Sequence, residues 1–274
     1  MTETDVGIHK MSVCLLLYQS LFLSTMLFNS QTWSNLRKKD KEQLRILQSK
    51  LLKNFVGVPY STCSSFTYLE LGVLPISYEI HKRQLMYLHR ITQLEPDDPV
   101  FQVSEFLKSQ NDLGEMNWWT GMTEILEKYG IDKSTEHIQK MKKDAFRGLV
   151  NEAVEKIALK ELVADCVSKK KTENNIHSTI RTQPYLTKLY PNQAKVIFKC
   201  RSGTLDIKSH LTYKYGDLKC RKCGVGDETV DHIVNCGYDD IIDFKYLGEE
   251  IMDNEEDVKR SVQRIIYFIE EVSE

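Results

Sequence analysis

The chain has 274 residues, 41% hydrophobic and 28% charged, with 37 Lys/Arg against 39 Asp/Glu for a net charge of −2. That length admits one large domain or two or three small ones, folded around modest cores. Outside one array, Cys14, Cys63, Cys166 and Cys200 show no framework spacing. The pattern fits a reducing compartment better than a disulfide-stapled secreted chain, and an intracellular protein, in nucleus or cytoplasm, is expected.

Taken in order, residues 12–28 (SVCLLLYQSLFLSTMLF) are seventeen uncharged residues, at the short edge of a membrane span. Ser12, Tyr18, Gln19, Ser20, Ser24 and Thr25 dilute the apolar run, so a buried core helix is expected and membrane insertion is not. Ser34 and Asn35 are cap candidates for a helix reading LRKKDKEQLRILQSKLLKNF. Leu44, Leu47 and Leu51, with Leu52 and Phe55, form its apolar stripe. Arg37, Lys38, Lys39, Lys41, Arg45, Lys50 and Lys53 load the other face. Composition alone makes that an ordinary solvated surface, although it could also meet a phosphate backbone. Gly57 and Pro59 stop the helix.

A loop through Ser61–Ser65 leads to Gly72 and Pro75. A second helix carries Ile80, Tyr87, Ile91 and Leu94, and the EPDDP turn (residues 95–99) is a plausible boundary. Further helices are expected over 100–180, with Trp118 and Trp119 in the core. Ala145, Leu149, Ala153 and Ile157 recur every fourth residue there. Lys169, Lys170 and Lys171 with Thr172, Asn174 and Asn175 read as a polar linker. Pro191 opens a helix that turns Ala194, Ile197 and Phe198 inward and ends near Gly203. A short helix is expected near Ile241–Leu247. Asn254 caps a last helix with Val262, Ile265, Ile266, Ile269 and Val272 on one stripe. No internal repeat and little strand signal are visible.

Two features carry chemistry. The first is Cys220, Cys223, His232 and Cys236, a C-x2-C-x8-H-x3-C array. A two-residue spacing sets two thiolates on one side of an ion, and H-x3-C places its ligands at i and i+4 of a helical turn. Together they can close a tetrahedron around one structural Zn²⁺, leaving no open position for a catalytic water. The second is charge asymmetry. Residues 181–222 hold ten Lys/Arg against Asp206 and Asp217, whereas residues 223–274 hold four Lys/Arg against fifteen acids. A polyanion would be drawn to the first stretch and repelled by the second, unless the two pair with each other. On this basis Lys195, Lys199, Arg201, Lys208, Lys214, Lys219, Arg221 and Lys222 are the candidate phosphate contacts.

Catalytic signals are missing. Gly237-Tyr238-Asp239-Asp240 superficially matches a polymerase carboxylate pair, but it has no hairpin context and no identifiable upstream partner. Asp243-Phe-Lys245 has no surrounding sheet of the kind a nuclease motif needs. There is no G-x-S-x-G, no phosphate-binding Gly loop and no H-E-x-x-H.

Two stretches together resemble LINE-type non-LTR retrotransposon reverse transcriptases. SLFLSTMLFNSQTWSNLRKKDKEQLRILQSKLLKNFVGVPYS, residues 20–61, is similar to the hydrophobic helix, Trp and basic helix that follow their polymerase palm. Residues 193–236 resemble their C-terminal zinc knuckle, through Arg201-Ser202-Gly203-Thr204-Leu205 and the pattern Glu228, Thr229, His232, Ile233, Cys236. The resemblance implies a thumb-like bundle with Arg37, Lys38, Lys39, Lys41, Arg45, Lys50 and Lys53 on its basic helix, and zinc held by Cys220, Cys223, His232 and Cys236. It also implies RNA or DNA as partner, and the rest of a retrotransposon ribonucleoprotein. The family's palm and endonuclease would precede Met1, so the chain is expected to be a non-enzymatic C-terminal fragment with no small-molecule substrate. The expected fold is mainly α: a thumb-like helical region (1–95), a helical connector (96–180), a basic helix with a CCHC zinc knuckle (181–240) and an acidic helical tail (241–274). The competing expectation is a decayed or domesticated fragment whose knuckle makes only protein contacts.

Overall fold

The structure is a computed structural model that describes residues 11–33, 36–169, 172, 176–244 and 254–273. It is mainly helical. Among the described residues there is no strand, and pairing is limited to one isolated antiparallel bridge between Lys219 and Asp227. The expected caps Ser34 and Asn35, and the linker residues Lys170, Lys171, Asn174 and Asn175, lie outside the described residues. So does most of the helix expected near 241–247; its described part, 241–244, is not helical.

The chain forms two compact units. One takes the described residues of Met1–Tyr18, Ser49–Val73 and Leu162–Glu274, and the other Gln19–Gln48 and Leu74–Glu161. The helices Lys38–Val56 and Lys143–Val167 each contribute to both.

In the second unit, Leu27, Ile76 and Ile80 are buried together, with Phe22, Leu23, Trp33, Leu36 and Leu44 packed around them. Gln48 is wholly buried and satisfied: its side-chain amide donates to Leu74 O at 2.9 Å and its carbonyl accepts from Ile76 N at 2.8 Å. That double bond fixes the start of the helix Ile76–Thr92. Both tryptophans are structural, with Trp119 Nε1 donating to Ser104 O at 2.7 Å and Trp118 Nε1 to Gln31 O at 3.1 Å.

The first unit is assembled around a short helix, Ser64–Leu71, whose residues from Phe66 onward are buried. The loop expected over Ser61–Ser65 thus gives way to helix from Ser64. Phe66 meets Phe198 edge-on at 5.6 Å, which brings in the helix Pro191–Arg201. That helix starts at Pro191 and buries Ala194, Ile197 and Phe198, as its pattern predicts. The last helix, Glu255–Glu271, starts at Asn254, whose side chain accepts from Asp257 N, and it buries Val258, Val262, Ile265 and Phe268. It packs on Pro191–Arg201 and on Val230–Asn235, so the acidic tail is part of this core.

Gly72 closes the short helix at φ +65, and a Cβ there would lie 2.2 Å from Thr182 N. The segment beyond residue 176 uses this opening: Thr182 Oγ1 donates to Leu71 O and Gln183 N to Glu70 O.

Two stripe assignments are corrected. In Lys143–Val167 the buried residues are Phe146, Val150, Val154, Ala158, Leu162 and Cys166, one position on from Ala145, Leu149, Ala153 and Ile157. In Lys38–Val56, Leu47 is exposed, and the buried face is Gln48, Ser49, Leu52, Lys53 and Val56. Hydrogen bonding to neighbouring segments overrides the simple apolar period there. Residues 12–28 are not one buried helix either. A π-helical turn, Tyr18–Leu23, interrupts them, and Leu16, Leu17, Leu21 and Phe28 are exposed while Leu15, Tyr18 and Leu27 are buried. Among the described residues no helix is long and apolar enough to cross a membrane.

Candidate metal centre

Residues 219–227 fold back on themselves, with Cys220 N donating to Gly226 O at 2.8 Å and the Lys219–Asp227 bridge closing the loop. Cys220 and Cys223 sit on this knuckle. The helix Val230–Asn235 follows, capped by Thr229, whose side chain accepts from His232 N. Val230, Ile233 and Val234 anchor it in the core, leaving His232 and the following Cys236 to turn back toward the knuckle.

The four ligand atoms converge, all within 4.8 Å of one another. Cys220 and Cys236 Sγ are 3.9 Å apart, and Cys223 Sγ lies 3.3 Å from His232 Nε2. Two thiolates at ~2.3 Å from a tetrahedral ion are about 3.8 Å apart, so the spacing suits a tetrahedral ion. Gly226 lies against the imidazole, where a Cβ would sit 2.6 Å from both Cε1 and Nδ1 of His232. Only glycine leaves the ring room to aim Nε2 at the sulfurs. The backbone amides of Val225 and Gly226 draw the Cys223 thiol down to about 6, while burial pushes Cys236 up to about 12. A cation at their centre would hold all three sulfurs as thiolates. These four residues can therefore hold one metal ion.

A buried carboxylate braces the centre. Glu228, fully buried, accepts from the backbone N–H groups of Lys208 (3.0 Å) and Arg221 (2.9 Å) and from the Arg221 side chain. Arg221 also donates to Asp206 O and lies 5.0 Å from the Tyr215 ring. Arg221, a candidate phosphate contact by sequence, is a clasp between the knuckle and the preceding loop.

Arg201 is the plainest correction. It is wholly buried, with Nε 3.1 Å and Nη2 2.8 Å from Glu70 Oε1, and it cannot meet a phosphate. His177 Nε2 lies 2.7 Å from the same oxygen, and the Tyr185 hydroxyl donates to Glu70 Oε2. Burial alone would raise Glu70, yet Arg201 and His177 hold its carboxyl below the usual range. Lys53 is likewise buried, donating to Tyr60 O and Ser64 Oγ. Neither residue carries a local signal of burial, because their partners are distant or polar.

The other candidate cations differ in their company. Lys208 pairs with Asp217, Lys214 with Asp206, Lys219 with Asp227 and Lys222 with Glu271. Arg37 pairs with Asp40 and Arg45 with Glu42. Lys38, Lys39, Lys41, Lys50, Lys195 and Lys199 have no acidic partner among the described residues. Lys195 crosses the turn that ends Lys38–Val56, its Cδ 3.4 Å from the position of a Cβ on Gly57. Sequence reasoning also missed a groove of about 650 Å³ in the second unit, lined by Arg83, Arg90, Lys142, Lys143 and Arg147. The seven-residue spacing of Arg83 and Arg90 and the run Lys140, Lys142, Lys143, Arg147 are its sequence signal.

The resemblance to a polymerase motif at residues 237–240 has a structural account. Asp240 pairs with Arg264 and Arg260, and Arg264 stacks on Tyr238 at 3.9 Å.

Fold and donor set thus define a mainly helical protein with a Cys₃His cluster able to hold a metal ion. No family model, curated protein or solved structure matches the chain.

Proposed function

We propose that the ion is Zn²⁺ and that the chain binds RNA or DNA without catalysing a reaction on it, as the C-terminal region of LINE-type reverse transcriptases, which it resembles, would. Three thiolates and an imidazole suit zinc, and four protein ligands leave it closed to water, a structural role. Zinc would hold the knuckle and the loop before it against the helices behind. The observation that carries the ligand assignment is the pair Lys195 and Lys199, one turn apart on Pro191–Arg201 and without acidic partners among the described residues. Like charges at i, i+4 repel, and a phosphate backbone relieves that repulsion. The pairs of Lys214 and Lys219 are exposed and screened by solvent, so they exchange readily for phosphate.

The test is binding of a labelled single-stranded RNA and of a DNA duplex by the zinc-loaded chain across a salt series. The expected result is an affinity that falls steeply with salt, with a log–log slope reduced by about 2 in the Lys195→Gln/Lys199→Gln variant. Absence of binding at low salt would overturn the reading. A second reading, in which the knuckle makes protein contacts only, is favoured by the pairing of Lys208, Lys214, Lys219 and Lys222 with acids of their own unit. It predicts that absence.

A further inference from the structure

Two of the cysteines outside the metal centre are brought together by the fold. Cys63 immediately precedes Ser64–Leu71, and Cys166 lies in the last turn of Lys143–Val167. They are 103 residues apart in sequence, yet their Sγ atoms are 4.0 Å apart in the first unit. Cys63 is partly exposed and Cys166 is wholly buried behind it. Lys169 Nζ lies 3.5 Å from the Cys63 sulfur and 2.7 Å from Asp165 Oδ2, which is itself 3.6 Å from that sulfur. A cation, a helix N-terminus and a second thiol thus surround one accessible sulfur.

We propose that Cys63 and Cys166 form a redox couple, in which a peroxide oxidises Cys63 to a sulfenic acid and Cys166 resolves it as an intramolecular disulfide. In the first step the Cys63 thiolate attacks one peroxide oxygen. The S–O bond forms, the O–O bond breaks, and the leaving hydroxide takes a proton to become water. In the second step Cys166 gives up its proton and attacks the Cys63 sulfur. The S–S bond forms, the S–O bond breaks, and hydroxide leaves with that proton as a second water. Two thiols lose two electrons and one peroxide becomes two waters. A dithiol reductant reverses the change.

The geometry assigns the roles. Only Cys63 is reached by solvent, so it meets the oxidant, and Cys166 can attack nothing but the sulfur in front of it. Closing from 4.0 Å to a bond length of ~2.05 Å is within reach of a side-chain rotation at the less packed Cys63. Hydrogen bonding from Cys166, the Phe66 amide and Lys169 lower the Cys63 thiol to about 6 against its burial, and the same pairing raises Cys166. Cys200 lacks this setting: it is buried, and burial raises its thiol.

The test uses the zinc-loaded full chain, treated with equimolar hydrogen peroxide, alkylated and mapped by proteolysis and mass spectrometry. The expected product is a peptide pair linked through Cys63 and Cys166, released by dithiothreitol, with the three metal-centre cysteines still alkylatable after denaturation. In Cys166→Ser, oxidation should stop at a Cys63 sulfenic acid that a 1,3-dione traps. Lys169→Met, an exposed change that leaves both thiols, should slow Cys63 oxidation roughly fivefold at pH 6. Circular dichroism and zinc content show whether each variant is folded. Failure of the linked pair to form in the folded parent chain, or Cys63 alkylating unchanged after peroxide, would overturn the proposal.

Discussion

Two clusters in the first unit are built in opposite ways. The candidate metal centre draws its four donors from residues 220 to 236, one hairpin and one short helix. The Glu70–Arg201–His177–Tyr185 cluster draws from segments up to 131 residues apart and is buried. A local cluster advertises itself through ligand spacing, because the backbone between the ligands dictates where they point. A long-range cluster does not, because each member alone is an ordinary polar residue. The difference accounts for the main error of sequence reading, which placed Arg201 on a surface that it never reaches.

The largest effect expected is on the local cluster. Stripping the metal with a chelator should cost on the order of 10 kcal/mol of local folding free energy, and changing Cys223 to Ser should act in the same direction. Limited proteolysis should then cut between residues 204 and 240 while Ile76–Thr92 stays protected. Equal loss across both units would erase the distinction between a local and a global stabiliser.

Next comes the buried ion pair. Arg201→Met leaves the buried Glu70 carboxylate with only His177 and Tyr185 and should cost ~3–5 kcal/mol, read as a shift in the urea midpoint. Removing both charges, with Glu70→Met added, should cost less than the single change, because no charge is then left unpaired. A double variant worse than Arg201→Met would show that packing, not charge, decides here.

A smaller, more selective change is Gly226→Ala. Its Cβ would press on the His232 ring, and zinc affinity in a competition titration should fall by ~10–100-fold while the apo chain's melting is little altered. The counterpart at Gly72 should leave zinc affinity intact and lower stability by roughly 2–3 kcal/mol, since its Cβ meets the Thr182 backbone.

The smallest effect is on pH dependence. Glu70 is held below its usual range in the folded chain, so its contribution is present above the unfolded value near 4.5 and is lost as pH falls through the lower folded value. In Glu70→Gln that part of the acid slope should vanish, leaving the contribution of the other carboxylates.

How much was legible follows the same division. The helix starting at Pro191, the cap at Asn254 and the stop at Gly57 were readable, since each is dictated within a few residues. The array at 220–236 was readable for the same reason. The short helix Ser64–Leu71, the buried face of Lys38–Val56 and the interleaved units were not. They depend on Gln48, Glu70 and Gly72 meeting segments remote in sequence. The candidate cations fall between: their number was visible, but which of them pair with acids is a property of the fold.

The most direct test of the central claim is metal stoichiometry read together with coordination. Zinc content per chain should be one equivalent in the parent protein and near zero in Cys236→Ser, and cobalt substitution should give the intense visible bands of a tetrahedral thiolate site. A parent chain that folds residues 204–240 with no bound metal, or a Cys236→Ser variant that keeps a full equivalent, would contradict it.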